Sequence, residues 1–153
     1  MLAPFIRFLD ESGLIDFENV DDEEGFETRF KIQKYVYLSE HFGLENPYRY
    51  TMYRYGPYSS SLADDYYELG ENHELLIAQA EEPLSESFDR EGFLNLVNGK
   101  NTDWLEISTT LIDQSPRFND DDDLINHVEN IKCNYANEYI RNVLRELQAQ
   151  EIL

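Results

Sequence analysis

The nine residues Phe30-Lys31-Ile32-Gln33-Lys34-Tyr35-Val36-Tyr37-Leu38 decide how this chain is built. They read as the middle of a helix running from about Thr28 to His41. Phe30, Gln33, Tyr37 and Leu38 lie along one side, and Tyr35, Val36 and Phe42 widen the apolar surface. A helix that is apolar nearly all round belongs at the centre of a domain. Gly43 supplies its stop. Gln33 is the polar exception on this helix, and each hydrogen bond it left unmet would cost about 1 to 3 kcal/mol. The expected partner is strand backbone near Tyr53 to Tyr55.

Downstream of this helix, Tyr48-Arg49-Tyr50-Thr51-Met52-Tyr53-Arg54-Tyr55 reads as a strand bounded by Pro47 and by Gly56-Pro57. Tyr48, Tyr50, Met52 and Arg54 would face one way, and Arg49, Thr51, Tyr53 and Tyr55 the other. Gly56 and Pro57 then turn the strand into a helix. Ser59 is its cap, and Ser61 with Asp64 has capping-box spacing. Leu62, Tyr66 and Leu69 form the inward face of that helix, and Gly70 is its expected end.

Upstream, Leu2, Phe5, Ile6 and Leu9 mark a helix from Leu2 to Ser12 that stops at Gly13, and the acidic stretch from Asp16 to Glu27 reads as a loop. Towards the C-terminus, Glu74 to Ala80 is ambiguous between strand and helix. Asp89 opens a helix through Val97 that stops near Gly99, and Asn101 or Thr102 opens another, with Trp104, Leu105, Ser108, Leu111 and Ile112 inward and Pro116 at its end. Asp120 to Asp123 precede Leu124, Ile125, Val128 and Ile131, and negative charge favours a helix start. Asn134 is the expected cap of a last helix with Tyr135, Tyr139, Ile140, Val143, Leu144 and Leu147 inward. With no repeat and no linker, residues 1–153 read as a single domain, mainly α with a small β element.

The chain has 153 residues, 12 basic against 32 acidic side chains, and a formal net charge of -20. With 41% hydrophobic and 14% aromatic residues it is too apolar for a disordered acidic tail. No apolar run approaches the roughly 20 residues of a membrane span, and no basic-then-apolar leader opens the sequence. Cys133 is the one cysteine, which suits a reducing cytoplasm. The charge opposes whole-surface binding of nucleic acid.

Enzyme signatures are missing. The glycines are scattered rather than gathered in a phosphate loop, and no serine stands in a G-x-S-x-G elbow. His41, His73 and His127 are far apart in sequence, and the lone thiol Cys133, between Lys132 and Asn134, reads as an ordinary small side chain. Adjacent carboxylates such as Asp64-Asp65 point in different directions on a helix, the run from Asp120 to Asp123 lacks the glycine and distant glutamate of a calcium loop, and both read as solvated helix starts. The expectation is no enzyme, no cofactor and no metal.

One segment reverses the charge. From Arg29 to Arg54 there are five basic residues (Arg29, Lys31, Lys34, Arg49, Arg54) against two acidic ones (Glu40, Glu45), a local +3 interleaved with tyrosines. The plain account is that the stems cover apolar surface, the heads pair with carboxylates and the tyrosines pack the core. The sharper account is a recognition surface, since Tyr and Arg dominate interface hot spots. Its candidate residues are Lys31, Lys34, Arg49, Arg54, Tyr37, Tyr53 and Tyr55. Gln33, Gly56, Pro57 and Ser59 read as architecture.

The segment from Phe30 to Leu38 resembles a K-[LI]-Q-K-[LY]-[VL]-Y-L signature. Tyr53-Arg54-Tyr55-Gly56-Pro57-Tyr58-Ser59, followed by Leu62, Asp64 and Asp65, resembles Y-x-Y-G-P-[YV]-S-x-x-L. Both occur, in this order, in the Panacea/SocA-like antitoxin domains and the related YwgA group. Val128 to Tyr135 also resembles the YwgA-type ending, with Cys133 where proline is usual. The resemblance implies a winged-helix-like α+β domain spanning 1–153 and a non-enzymatic, antitoxin-like or regulatory protein-binding role in a prokaryotic or phage-related cytoplasm. It carries no catalytic residue over. An acidic surface suits a basic protein partner such as a toxin. The alternatives are a winged-helix nucleic-acid-binding regulator using the +3 segment and an acidic DNA mimic. An unrecognised hydrolase is a more distant one, and adaptation to high salt is a further explanation of the charge.

Overall fold

The computed structural model describes residues 2–153. It is mainly α-helical with one small two-stranded antiparallel sheet. The helices are α1 (Leu2–Glu11), α2 (Phe26–Ser39), α3 (Ser60–Glu71), α4 (His73–Ala80), α5 (Arg90–Val97), α6 (Thr102–Gln114), α7 (Asp121–Ile131) and α8 (Asn137–Ala149). The strands are β1 (Thr51–Tyr53) and β2 (Gly56–Tyr58). None of the described helices is long and apolar enough to cross a membrane.

The chain forms two compact units: residues up to Thr51 together with Tyr58–Gly99, and Met52–Pro57 together with Lys100–Leu153. In the first unit, α1, α3 and α4 pack on one another and α2 packs on α3. Helix α2 is largely buried from Thr28 through Ser39, as its sequence predicts, with Arg29, Lys31 and Tyr37 half-buried. Phe5, Phe8, Phe42, Phe88 and Phe93 form a ring cluster against Tyr35, with edge-to-face contacts such as Phe5–Phe88 at 5.6 Å and Tyr35–Phe93 at 6.0 Å. Each such pair adds about 0.5 to 1.5 kcal/mol beyond the area it buries. In the second unit, α6, α7 and α8 pack against one another around Leu105, Leu111, Ile125, Val128, Ile140 and Leu147.

Gln33 meets its need at Ser59 rather than at Tyr53 to Tyr55. Its Nε2 donates to the Ser59 carbonyl at 2.8 Å, and its Oε1 accepts from the Ser59 amide at 2.9 Å. Ser59 Oγ in turn accepts from Leu62 N and caps α3. Ser61 lies inside the helix, so the capping-box reading of Ser61 with Asp64 does not hold.

The strand expected from Tyr48 to Tyr55 is a hairpin instead. Only Thr51–Tyr53 is β1, Arg54 and Tyr55 form the turn, and Gly56-Pro57-Tyr58 is β2. Gly56 reverses the chain at φ 97°, an angle that costs a residue with a Cβ. Pro57 fits because a strand of a two-stranded sheet always has a free edge.

Other boundaries moved for local reasons. The acidic loop before α2 contains two 3₁₀ turns, Phe17–Asn19 and Glu23–Gly25. Gly70 is within α3, not at its end; a Cβ there would lie 2.5 Å from Val20 Cγ1, so the small residue serves close packing. Residues 73–80 are helix, capped by Asn72. Asp89 caps α5 as expected, Asn101 rather than Thr102 caps α6, and Asp120, the first residue of the acidic run, caps α7. Helix α8 begins at Asn137, not after Asn134, because Lys132 to Tyr135 form a turn closed by Tyr135 N donating to Lys132 O. Ile131 is exposed rather than inward.

Gln33→Ala leaves both Ser59 backbone groups unmatched in the interior. It should cost at least about 2 kcal/mol, read as a lower urea midpoint with an unchanged m-value.

Candidate functional site: a carboxylate-rimmed cavity

The loop after α2 is held at several points. Leu44 N donates to Ser39 O, and Gly43, at φ 88°, approaches Ser87 so closely that a Cβ would lie 2.2 Å from the Ser87 carbonyl. Ser87 Oγ donates to Gly43 O at 2.8 Å, and Asp89 N donates to Phe42 O at 2.8 Å. Asn46 then fixes the next turn: its Oδ1 accepts from Tyr48 N, and its Nδ2 donates to Val36 O. These contacts deliver the Tyr48 hydroxyl to α3, where it donates to Asp65 Oδ2 at 2.5 Å.

Behind that hydrogen bond, within the first unit, is a cavity of about 300 Å³. Phe5, Val36, Leu44 and Leu69 give it an apolar floor. Glu45, Asp65 and Glu68 bring three carboxylates to its rim, and among the described residues no Lys or Arg lines it. The Tyr48 phenol is held protonated well above its ordinary range, first by burial and then by the hydrogen bond to Asp65 and that carboxylate's charge. Tyr48 is therefore a neutral donor to the Asp65 side chain.

The second unit holds a different polar cluster. Lys132 Nζ pairs with Glu106 Oε2 at 2.9 Å, with both side chains nearly buried, and donates to the Arg54 carbonyl at 2.7 Å. Tyr135 OH lies 3.0 Å from Asp103 Oδ1 and 3.1 Å from Glu106 Oε1, and burial together with these carboxylates raises its pKa. These contacts tie the hairpin turn to α6 and to the residue that follows α7.

The expected binding residues are mostly occupied or dispersed. Lys34 is 2% exposed, with Nζ 5.2 Å from the Phe30 ring centroid, so it does not present its side chain at the surface as the recognition reading expects. Lys31 pairs with Glu27 at 3.0 Å. Arg29 donates to the Val20 and Asp22 carbonyls at 2.8 Å. Tyr37 stands edge-to-face on Tyr50 at 5.0 Å. Arg49 is exposed, as are Tyr53, Arg54 and Tyr55 around the hairpin turn. Gln33, Gly56, Pro57 and Ser59 are buried framework.

Asp120 is a helix cap, accepting from Asp122 N and Asp123 N, as the sequence predicts for the acidic run. Asp65 is not simply a solvated helix residue, because Tyr48 bonds it from a loop distant in sequence. Among the described residues no group of three or more His, Cys, Asp or Glu is arranged to hold a metal ion. Glu45, Tyr48 and Glu68 escaped sequence reasoning. The available signal was the spacing of Asp65 and Glu68, three apart and so on one face of α3.

Lys132→Met strands Glu106 in a low-dielectric site and should destabilise by about 3 to 5 kcal/mol, whereas Lys132→Met with Glu106→Leu should recover most of the loss in chemical denaturation. The buried tyrosines predict alkaline lability. Burial pushes Tyr35 up to about 12, and Tyr50 and Tyr66 are raised by the same cause. The native state thus retains protons that the unfolded chain releases. Stability should be intact below the ordinary phenol value of about 10 and fall as pH rises towards 12. Tyr50 hydroxyl is buried without a hydrogen-bond partner among the described residues. Tyr50→Phe should therefore hold or raise stability at pH 7, by up to about 1 kcal/mol, and flatten the alkaline decline in denaturation midpoints.

No family model, curated protein or solved structure matches the chain, and the resemblance to the Panacea/SocA-like domains rests on its signature segments.

Proposed function

We propose that this protein is a non-enzymatic protein-binding module, antitoxin-like or regulatory, that receives a basic segment of its partner at the cavity beside Tyr48 and Asp65. The carrying observation is that cavity: an apolar floor and three carboxylates at the rim, with no Lys or Arg among the described lining residues. A formal charge of -20 adds long-range attraction for a basic partner and raises the association rate. The chemistry of the site favours binding over catalysis. A general acid or base works best with a pKa near the operating pH, and Tyr48 is driven away from it. The nucleic-acid alternative loses support, since Lys34 is buried and Lys31 is paired with Glu27. An antitoxin role follows the two signatures and fits a basic toxin as the partner.

The test is co-expression and co-purification with the product of the adjacent gene. The expected outcome is a complex that weakens with salt and a partner whose toxicity is relieved. Asp65→Arg with Glu68→Arg should weaken that complex by more than about tenfold, since each reversal replaces attraction by repulsion. A neighbour that is neither bound nor toxic would count against the antitoxin role.

A further inference from the structure

We infer that the cavity between Tyr48 and α3 takes a single lysine side chain of the protein partner, its ammonium held by Asp65 and its aliphatic stem lying on Phe5, Val36 and Leu69. This rests on reading the cavity as a protein contact and names what enters it. A cavity of about 300 Å³ is at the small end of the roughly 300 to 1,000 Å³ typical of ligand sites. That suits one extended side chain. The apolar floor asks for methylenes, and the rim asks for a cation at their end. A lysine or an arginine supplies both.

Asp65 distinguishes between the two. Arginine gains most from a carboxylate whose two oxygens are both open to its planar fork. Tyr48 already donates to Oδ2 at 2.5 Å, and the loop that carries Tyr48 is fixed by Asn46 and by the Gly43–Ser87 contact. The fork would have to share an occupied oxygen. An ammonium has rotatable donors and needs only one open oxygen of Asp65, while Glu45 and Glu68 add carboxylates elsewhere on the rim. Tyr48 is therefore a specificity-determining residue: by occupying one oxygen it sets the site for a point charge rather than a planar one.

The experiment is a ¹H–¹⁵N titration of the full chain with acetyl-Gly-Lys-Gly-amide. The comparison ligands are its Nε-acetylated form, its arginine counterpart and spermidine. The lysine peptide should shift amides in residues 44–48 and 65–69 with a Kd of about 1 mM or tighter. The acetylated peptide should bind at least about tenfold more weakly, as expected when a charged hydrogen bond is lost. The arginine peptide should also be weaker, and Tyr48→Phe should narrow the gap between lysine and arginine. Asp65→Asn, and separately Glu68→Gln, should weaken the lysine peptide while leaving the remaining spectrum dispersed as in the native protein. Equal binding of the acetylated peptide, shifts confined to other residues, or no binding would overturn the inference. So would spermidine binding at these residues in the absence of lysine-peptide binding. A partner that still binds although lysine does not would leave the binding-module reading standing and remove only this one. Lysine binding without any protein partner would do the reverse.

Discussion

The carboxamide of Gln33 lies inside the first unit and closes both backbone groups of Ser59, donating at 2.8 Å and accepting at 2.9 Å. Much of the first unit's arrangement depends on that pair of bonds. They join the buried helix α2 to the residue at which the hairpin ends and α3 begins. Ser59 then caps α3, and the direction of α3 sets where Asp65 and Glu68 stand. Water cannot replace the bonds at a site where Gln33 and Ser59 are 2% and 1% exposed. A buried amide with both of its functions matched specifies one geometry, because any slip would leave a donor and an acceptor unmet.

The charges of the chain follow a related logic. The basic residues clustered in the sequence are largely consumed by local needs. Arg29 holds two carbonyls, Lys31 pairs with the preceding turn of its own helix, and Lys34 lies against Phe30. Lys132 is buried with Glu106 and spends its remaining capacity on the hairpin turn. Carboxylates outnumber these partners heavily, so the cavity rim keeps its negative charge. The apolar floor beneath it sets hydrocarbon directly beside those carboxylates.

Periodicity carried most of the helices. The buried faces of α1, α2, α3 and α6 follow from apolar spacing, and side-chain caps at Ser59, Asp89, Asn101 and Asp120 mark real helix starts. Errors arose where one residue type serves two purposes. Glycine marks a helix end by its backbone freedom, yet Gly70 was selected by the proximity of Val20. Asparagine marks a helix start, yet Asn134 lies in a turn whose tyrosine reaches Asp103 and Glu106. The tyrosine-rich stretch suits a strand throughout, but a positive φ at Gly56 folds it back on itself.

By itself the sequence determined the helical class, the central place of α2, the structural character of Gln33, Gly56, Pro57 and Ser59, and the excess of negative charge. Those properties depend on composition and on spacings within a few residues. Only the tertiary structure decided that Lys34 is buried, that Gln33 bonds Ser59, and that Tyr48 meets Asp65 over a cavity. Each of these joins residues on different elements, and no local pattern records which distant group a side chain will face. The cavity is the clearest case, since its floor comes from α1, α2 and α3 and its acidic rim from a loop and a helix that become neighbours only on folding.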